Sequence, residues 1–399
     1  MSNPILQISQ WFEGLLLGWG LAEGFVLVLM QAIGAFVVIM VGFTTVIALI
    51  WFERKLAGRL QDRLGPNRAG PYGLFQPFAD IIKMFTKEDT TPAGADKVPF
   101  NIAPVLMVAS VLFIWAVIPF AASVVGTDIS VGVLYIVAVG SFGIVAALMA
   151  GWSSNNKFAL LGAYRAVAQM VAYEVPMVLV LLIPVLLARS MNLSDIVNAQ
   201  STWFVVIAPL AALIFLISSM AEVGRAPFDL IEAESEIVAG FHTEYSGMKF
   251  GMFYVGEFLH VWTVGALISV LFLGGWNGPG VDTYPLLGVL YFFIKTFFGY
   301  FVISWIRLSV PRIRIDQMQA FNWKFLTPLA LVILMVTAVL DKSLELAGVT
   351  SLGYTLAMLA ANLVIGWITI EILKKIEPTK ARQEFPHRPV AVAPKPTEN

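Results

Sequence analysis

Long apolar runs separated by shorter polar stretches dominate the pattern along this chain. A membrane-spanning helix needs about 20 apolar residues to cross a hydrocarbon core roughly 30 Å thick. Nine runs, of which the eighth is the shortest, predict spans near residues 24–52, 103–125, 132–152, 166–188, 203–221, 251–275, 285–306, 325–340 and 352–370. A membrane β-barrel would instead alternate apolar and polar residues. The pattern therefore predicts an all-α polytopic membrane protein with about nine transmembrane helices.

The composition excludes several other classes of protein. The 399 residues are 58% hydrophobic and 13% charged, whereas about 25% of the residues in an ordinary soluble domain are charged. This excludes a cytosolic globular enzyme, a disordered chain and a nucleic-acid binder with a basic face. The first 23 residues contain no Lys or Arg, which a cleaved secretory signal would need. We therefore expect the first apolar segment to remain as a span.

The distribution of Lys and Arg predicts the orientation, because cytoplasmic loops carry an excess of these residues. With the N-terminus outside, 22 of the 25 basic residues fall in the inside segments, which are residues 53–102, 153–165, 222–250, 307–324 and those after 370. We predict one integral membrane domain, residues 1–370, with its N-terminus outside and its C-terminus cytoplasmic. Residues 371–399 end in a Pro-rich string and are predicted to be a disordered cytoplasmic tail.

The first long inside loop, 53–102, contains a helical apolar face. Leu74, Phe78, Ile81, Ile82 and Phe85 share one side of a helix, which predicts an amphipathic helix lying in the membrane interface. Two interpretations stay open. The helix is either a simple interfacial anchor or one wall of a lipid-accessible cavity that a hydrophobic ligand enters sideways.

The second long inside loop, 222–250, is acidic, although loops on the inside of a membrane normally carry an excess of Lys and Arg. Its six carboxylates face only Arg225 and Lys249; they are Glu222, Asp229, Glu232, Glu234, Glu236 and Glu244. Crowded carboxylates raise one another's pKa and titrate as a group, so this loop is a candidate for accepting and passing protons. A solvated acidic face, or a docking patch for a basic partner, explains the same pattern equally well.

Four ionisable residues fall inside predicted spans: Glu174, Glu257, His260 and Lys295. Such a residue costs at least about 2.5 kcal/mol on insertion scales and is a functional candidate by default. Each one is explained by a single buried ion pair, but together they favour a proton or cation path that leads sideways into a partner. The chain has no cysteine and three histidines, so we predict no metal site and no iron–sulfur cluster on it.

Four segments together carry a resemblance to a known family. They are ERKLAGRLQDRLGPNRAGPYGLFQPFADIIKMFTKED, GWSSNNKFALLGAYRAVAQMVAYE, AEVGRAPFDLIEAESEIVAGFHTEYSGMKF and VPRIRIDQMQAFNWKFLTP. They resemble the membrane subunit that forms the quinone chamber of respiratory complex I, the proton-pumping NADH–quinone oxidoreductase, known as the H-type subunit in bacteria. The resemblance covers roughly residues 24–340.

The resemblance implies a subunit without a redox centre or independent catalysis, in the bacterial inner membrane. The inside loops would form much of the quinone chamber together with two peripheral-arm subunits. The quinone, ubiquinone or menaquinone, would enter from the bilayer beside the first span and the amphipathic helix. Iron–sulfur clusters and FMN would lie on partner subunits, and small and antiporter-like membrane subunits would be neighbours.

The resemblance also assigns residues to roles. The chamber and its access route would include Glu53, Arg54, Arg59, Arg63, Phe78, Arg225, Asp229, Arg312 and Arg314. An acidic proton relay would include Glu174, Asp229, Glu232, Glu234, Glu236, Glu244 and Glu257. One departure is visible, because many family members carry Pro where this chain has Ile231. His260 and Lys295 are candidates from their position in the spans alone.

Two alternative functions stay open. A membrane-bound hydrogenase contains a related ion-translocating anchor subunit that need not reduce quinone, and neighbouring genes would distinguish the two complexes. A stand-alone secondary transporter also uses buried Glu, His and Lys. Purification without hydrophilic partners would favour the transporter.

Overall fold

The computed structural model describes residues 4–231 and 234–380, and these residues are helical with short connections. The helices are, in order, α1 Pro4–Gly18, α2 Glu23–Leu60, α3 Gln76–Thr86, α4 Lys97–Trp115, α5 Gly132–Ser153, α6 Lys157–Ala188, α7 Leu193–Ala199, α8 Phe204–Ile207, α9 Pro209–Val223, α10 Glu234–Ile237, α11 Gly247–Phe272, α12 Pro285–Ser309, α13 Ile315–Phe321, α14 Thr327–Leu346 and α15 Ser351–Lys380. Between α13 and α14 the chain forms one π-helical stretch, Asn322–Leu326. The prediction of an all-α fold is confirmed.

Eight helical segments of the described chain are long and apolar enough to cross a membrane, which confirms the prediction of a polytopic membrane protein. The fifth predicted span, 203–221, is interrupted and forms α8 and the 15-residue α9. Pro209 causes the break, because proline has no N–H to donate and forces the residue before it out of the helical conformation. The number of membrane crossings stays a prediction.

Several helix ends differ from the predicted boundaries; α4, for example, ends at Trp115, ten residues before the predicted end of the second span. Helix α2 runs to Leu60, eight residues past the predicted end of the first span, so the first part of the predicted loop is helical. Lys, Arg, Leu and Glu are good helix formers, and charge alone does not end a helix. Helix α15 runs to Lys380, so residues 371–380 of the predicted tail are helical, and residues 381–399 lie outside the described chain. Helix α1 was not predicted.

Helices α6 and α11 form the centre of the bundle. The most apolar stretch of α11 is 72% buried, against 17% for α2 and 11% for α15, so these two helices lie at the periphery. Helix α11 packs closely on α12 at Gly265, where a side chain would meet the Thr296 carbonyl oxygen at 2.6 Å. Glycine is needed here because two helix backbones approach each other directly.

The loops gather at one end of the bundle, which we call the loop face and define by segments 53–102, 224–246 and 307–324. Thr90 donates its backbone N–H to Ser246 Oγ at 2.9 Å, and Ile313 donates its backbone N–H to the Pro227 carbonyl at 2.9 Å. The predicted helix over 74–85 is present as α3, and its Phe78 side chain is exposed. Three of the five segments predicted to lie inside are therefore in contact with one another.

Candidate functional site

Five polar side chains meet inside the bundle beside the loop face. We call them the core ion cluster: Glu53 of α2, Arg225 after α9, Glu257 of α11, and Tyr300 and Arg307 of α12. Arg225 Nη1 lies 3.0 Å from Glu53 Oε1, and Arg225 Nε lies 2.8 Å from Glu257 Oε1. Arg307 also donates to Glu53 Oε1, and the Tyr300 hydroxyl donates to Glu53 Oε2 at 3.0 Å. Two carboxylates thus tie together four distant parts of the chain.

The centre of the core ion cluster is removed from water. Arg225 is 3% exposed and Glu53 8% exposed, and the guanidinium of Arg225 lies 4.7 Å from the centre of the Phe258 ring. The two arginines and the two glutamates give the cluster a formal net charge of zero. Removing one partner from a buried pair is strongly destabilising, since it leaves an uncompensated charge away from water. The cluster therefore fixes the loop segment to the bundle.

The segment that carries Arg225 is positioned by Gly224 and Gln169. Gly224 ends α9 with φ of +73°, and a side chain there would meet Ile231 at 2.4 Å. The buried Gln169 amide donates to the carbonyls of Ala221 and Phe228, on either side of this turn, at 2.7 Å each. Ile231, the departure from the family pattern, places an apolar side chain in the wall of an adjacent cavity.

Two cavities continue from the cluster into the bundle. The first has a volume of about 40 Å³ and is lined by Glu257, Glu222, His242 and His260 among apolar side chains. The second has a volume of about 20 Å³ and is lined by Glu222, His260 and Glu174 among apolar side chains. Both cavities share Glu222 and His260, whose Oε1 and Nε2 atoms lie 3.9 Å apart. Ionisable side chains on the walls of these two cavities therefore lead from Glu257 to Glu174.

On the loop face, Glu236 is also held by two arginines. Its Oε2 lies 2.5 Å from Arg165 Nη2, and its Oε1 lies 2.8 Å from Arg312 Nη2. The hydrogen bond from Arg165 is the main reason why the pKa of Glu236 lies below its ordinary value. The prediction that crowding raises the carboxylate pKa values in this loop is therefore wrong for Glu236, because its nearest charges are arginines.

Comparison with known proteins identifies the family. The family model described as NADH dehydrogenase matches residues 33–338. A protein of Dehalococcoides mccartyi strain CBDB1, named as the H-type subunit of NADH-quinone oxidoreductase, is 51% identical over 305 residues, which is 76% of this chain and 85% of the relative. The second H-type subunit of Syntrophobacter fumaroxidans is 48% identical over 299 residues, 72% of this chain and 89% of the relative. The H-type subunit of Brevibacillus brevis is 43% identical over 342 residues, 85% of this chain and 97% of the relative.

The chain belongs to the family of H-type subunits of NADH-quinone oxidoreductase. The resemblance drawn from the sequence is confirmed, and with it the prediction of a membrane subunit of the complex I oxidoreductase. The family match ends at residue 338, so the whole of α15 lies beyond it. The names of these relatives favour the quinone oxidoreductase over the hydrogenase anchor and the transporter.

Other predicted chamber residues lie on the exposed part of the loop face. Arg54, Arg59, Arg63 and Arg314 are exposed, as is Phe78. Arg54 pairs with Asp80 of α3 at 2.5 Å, which joins α2 to the amphipathic helix. Only Glu53 and Arg225 of the predicted chamber set belong to the core ion cluster.

The predicted relay residues separate into three groups. Glu257 and Glu174 line the cavities, and Glu236 lies in the arginine bridge. Glu244 accepts a hydrogen bond from Asn156 Nδ2 at 2.5 Å, and Asp229 is partly buried after α9; both lie in the loop rather than on the walls of the two cavities. Glu232 lies outside the described residues, and Glu234 is described only as the first residue of α10.

The two candidates chosen from their position in the spans have different surroundings. His260 lines both cavities. Lys295 is elsewhere, and its Nζ donates to the carbonyls of Gly275 and Asn277 at 2.9 and 2.8 Å.

Sequence reasoning missed four residues of the site. Tyr300 and Arg307 resemble an ordinary aromatic residue in a span and an ordinary basic residue at its end. Their spacing of seven residues, which places both on one face of a helix, was the available signal. Glu222 was counted with the loop acids but not with the relay, and His242 was not singled out.

Proposed function

We propose that this chain forms, with partner subunits, the quinone chamber of a proton-translocating NADH–quinone oxidoreductase, and that its buried carboxylates couple quinone reduction to proton movement. The observation that carries the proposal is the pair of cavities that share Glu222 and His260. They join the core ion cluster near the loop face to Glu174 inside the bundle.

The location of the chamber is supported by the gathered loop face. The core ion cluster lies directly behind it, and exposed arginines such as Arg54 surround it. A neutral quinone gains negative charge when it is reduced, and nearby arginines stabilise that charge. The exposed apolar face of α3, with Phe78, Ile82 and Phe85, suits the hydrocarbon interface from which a quinone tail would arrive.

The electrons must come from partners. Reducing a quinone to a quinol takes two electrons and two protons, and the chain has no cysteine to hold an iron–sulfur cluster. We therefore place the iron–sulfur clusters and FMN on peripheral-arm subunits and the quinone, ubiquinone or menaquinone, at the shared chamber. This chain supplies the surface, the fixed charges and the proton route.

The coupling would be electrostatic. Charge that forms in the chamber acts on Glu53 and Arg225 in a low dielectric, where a unit charge has a stronger effect than in water. A proton shift from Glu222 toward Glu257 would then alter the occupancy of Glu174 and of acidic groups on neighbouring small and antiporter-like membrane subunits. With the loop face cytoplasmic, the complex would lie in a bacterial inner membrane, with protons entering from the cytoplasm.

Replacing single carboxylates in the assembled complex tests the proposal. In proteoliposomes, Glu174→Gln or Glu236→Gln is expected to lower quinone reduction and the protons moved per quinone while assembly is kept. Glu345→Gln is the matched control, because Glu345 pairs with Arg189 at an exposed site away from the loop face. Near-normal turnover and proton yield in both test variants would refute the relay.

A further inference from the structure

The turn of α6 that carries Glu174 lacks one of its own hydrogen bonds. In an α-helix each backbone N–H bonds to the carbonyl four residues earlier, but proline has no N–H. Pro176 therefore leaves the carbonyl of Ala172 without its helical donor, and Ala172 is only 3% exposed. Glu174 lies midway between these two residues. The helix alone does not fix the turn that positions this carboxylate.

Asn322 supplies the missing donor from a distant part of the chain. Its Nδ2 donates to the Ala172 carbonyl at 2.6 Å, and the side chain is fully buried. Its Oδ1 has no hydrogen-bond partner among the described residues. Burying an unpaired amide oxygen is unfavourable. The donor nitrogen therefore explains a polar residue at this position better than packing does.

A π-helical stretch places Asn322 against α6. Asn322 is the first residue of this stretch, and its carbonyl accepts the backbone N–H of Thr327, five residues later. Such turns contain one extra residue and are frequent at functional sites. A second bond joins the same surfaces, because the buried Tyr173 hydroxyl donates to the Met318 carbonyl at 3.1 Å. The chain before α14 is thus bound to α6 beside the proline.

The same segment also contacts the loop face. Arg312 Nη2 lies 2.8 Å from Glu236 Oε1, and Ile313 donates its backbone N–H to the Pro227 carbonyl at 2.9 Å. Helix α13 then leads directly to Asn322. Residues 312–322 therefore connect the acidic loop at one end to the turn of Glu174 at the other.

We propose that Asn322 is a positioning residue that holds the turn of α6 carrying Glu174. It acts through the backbone of Ala172 and does not line the cavity. Glu174 is two residues further on, about 200° around the helix, where it lines the second cavity and accepts from Ser141 Oγ at 3.3 Å. Proton transfer needs its partners within hydrogen-bond reach or one water apart, so a displaced turn would impair it. The inference rests on the proposed function, in which Glu174 is a relay group.

Asn322→Leu tests the proposal in the assembled complex, because leucine is of similar size and has no donor. Amide exchange of residues 170–180, measured without NADH, is expected to become about tenfold faster. The protons moved per quinone in proteoliposomes should fall, while the KM for quinone stays at the wild-type value because the chamber is untouched. Unchanged exchange would overturn the proposal.

A second substitution should restore what Asn322→Leu removes. Pro176→Ala gives α6 its own N–H for the Ala172 carbonyl, so the double variant must recover both slow exchange and proton yield. If Asn322→Leu alone fails to assemble, assembly must return in the double variant. A double variant that is no better than Asn322→Leu contradicts the assigned role.

Asn362→Leu is the matched control. Asn362 of α15 is 3% exposed, and its Nδ2 donates to the carbonyls of Ile207 and Met358 at 3.2 and 3.0 Å. This variant also removes a buried amide donor, but away from Glu174, so it should keep the wild-type proton yield. An equal loss of proton yield in Asn362→Leu and Asn322→Leu would reduce the effect to general loosening of the bundle and refute the proposal.

The relay and the positioning role can fail separately. Coupled turnover of Glu174→Gln alone judges the relay, whereas amide exchange judges the contact between Asn322 and Ala172 without any proton measurement. A lowered proton yield in Glu174→Gln together with a wild-type yield in Asn322→Leu would keep the relay and overturn the positioning role.

Discussion

Glu53 and Glu236 are each held by two arginines, yet they lie in opposite environments. Glu53 is 8% exposed and accepts from Arg225 and Arg307 inside the bundle. The side chain of Glu236 is 39% exposed and bridges Arg165 to Arg312 on the loop face. A buried pair is costly to break, whereas an exposed pair contributes little and exchanges partners easily.

The difference assigns the two bridges different tasks. The core ion cluster holds Arg225 and Glu257 at fixed positions, where a charge in the proposed quinone chamber would have a strong electrostatic effect on them. The exposed bridge joins α6, α10 and the segment before α13 at the surface, where water screens its charges. The same arrangement of residues thus gives a buried electrostatic centre in one place and a screened surface contact in the other.

The largest effect is expected when the buried bridge is broken. Arg225→Gln leaves Glu53 and Glu257 without their shared cation, which costs about 3–5 kcal/mol. We expect a large loss of assembled complex and a clearly lower melting temperature. Arg54→Gln, which breaks the exposed pair with Asp80, is the control and should cost less than about 1 kcal/mol. Equal effects of the two variants would remove the distinction between the bridges.

Acidification is expected to loosen the loop beside the clusters. Burial among the rings of Phe241, Phe250 and Phe253 lowers the pKa of His242 to about 4. Because the unfolded value is 6.5, stability is unaffected above that pH and is lost as the pH falls toward about 4, by about 2 kcal/mol at pH 5.

Amide hydrogen exchange over residues 240–250, compared at pH 7.5 and 5 after correction for intrinsic rates, measures this loosening. His242→Phe should abolish the pH dependence. The Glu236 bridge should not contribute, because a lowered carboxyl pKa removes stability only below the ordinary value of 4.5. Equal protection at both pH values in the wild type would contradict this account.

A single hydrogen bond of the core ion cluster should have an intermediate effect. Tyr300→Phe removes the donor to Glu53 Oε2 and is expected to cost about 1.5 kcal/mol, since the acceptor is charged and buried. The melting temperature of the complex is the measurement. Tyr135→Phe removes an exposed hydroxyl that donates to the Phe113 carbonyl at 3.2 Å and should have a smaller effect; the reverse order would argue against a tight cluster.

The smallest stability effect is expected at the exposed bridge. Arg312→Gln leaves Glu236 paired with Arg165, so the loss is about 1 kcal/mol or less. The effect should also decrease when salt rises, because exposed pairs are screened. Melting curves at low and high salt measure both features. A large, salt-independent loss would show that this bridge is as fixed as the buried one.

Much of the fold was predictable from periodicity. The apolar runs of about 20 residues predicted the polytopic bundle. The apolar helical face between Leu74 and Phe85 predicted the amphipathic helix. The break in the fifth span was also readable, because Pro209 stands within it. The extension of α2 to Leu60 was not, since charged residues end an apolar run without ending a helix.

The site was only partly predictable. The sequence supplied Glu53, Arg225 and Glu257 as candidates, but not that they touch, because Glu53 and Arg225 are 172 positions apart. Tyr300 and Arg307 gave no signal beyond spacing. The pKa direction of Glu236 depends on Arg165 and Arg312, which only tertiary packing brings together.

The central claim is that the carboxylates between the core ion cluster and Glu174 form one proton route. Glu222 tests it most directly, because Glu222 borders both cavities. The measurement is the number of protons moved per quinone reduced by the Glu222→Gln complex in proteoliposomes. The account predicts that this number and the turnover fall while the complex stays assembled. Wild-type proton yield at wild-type turnover would contradict it.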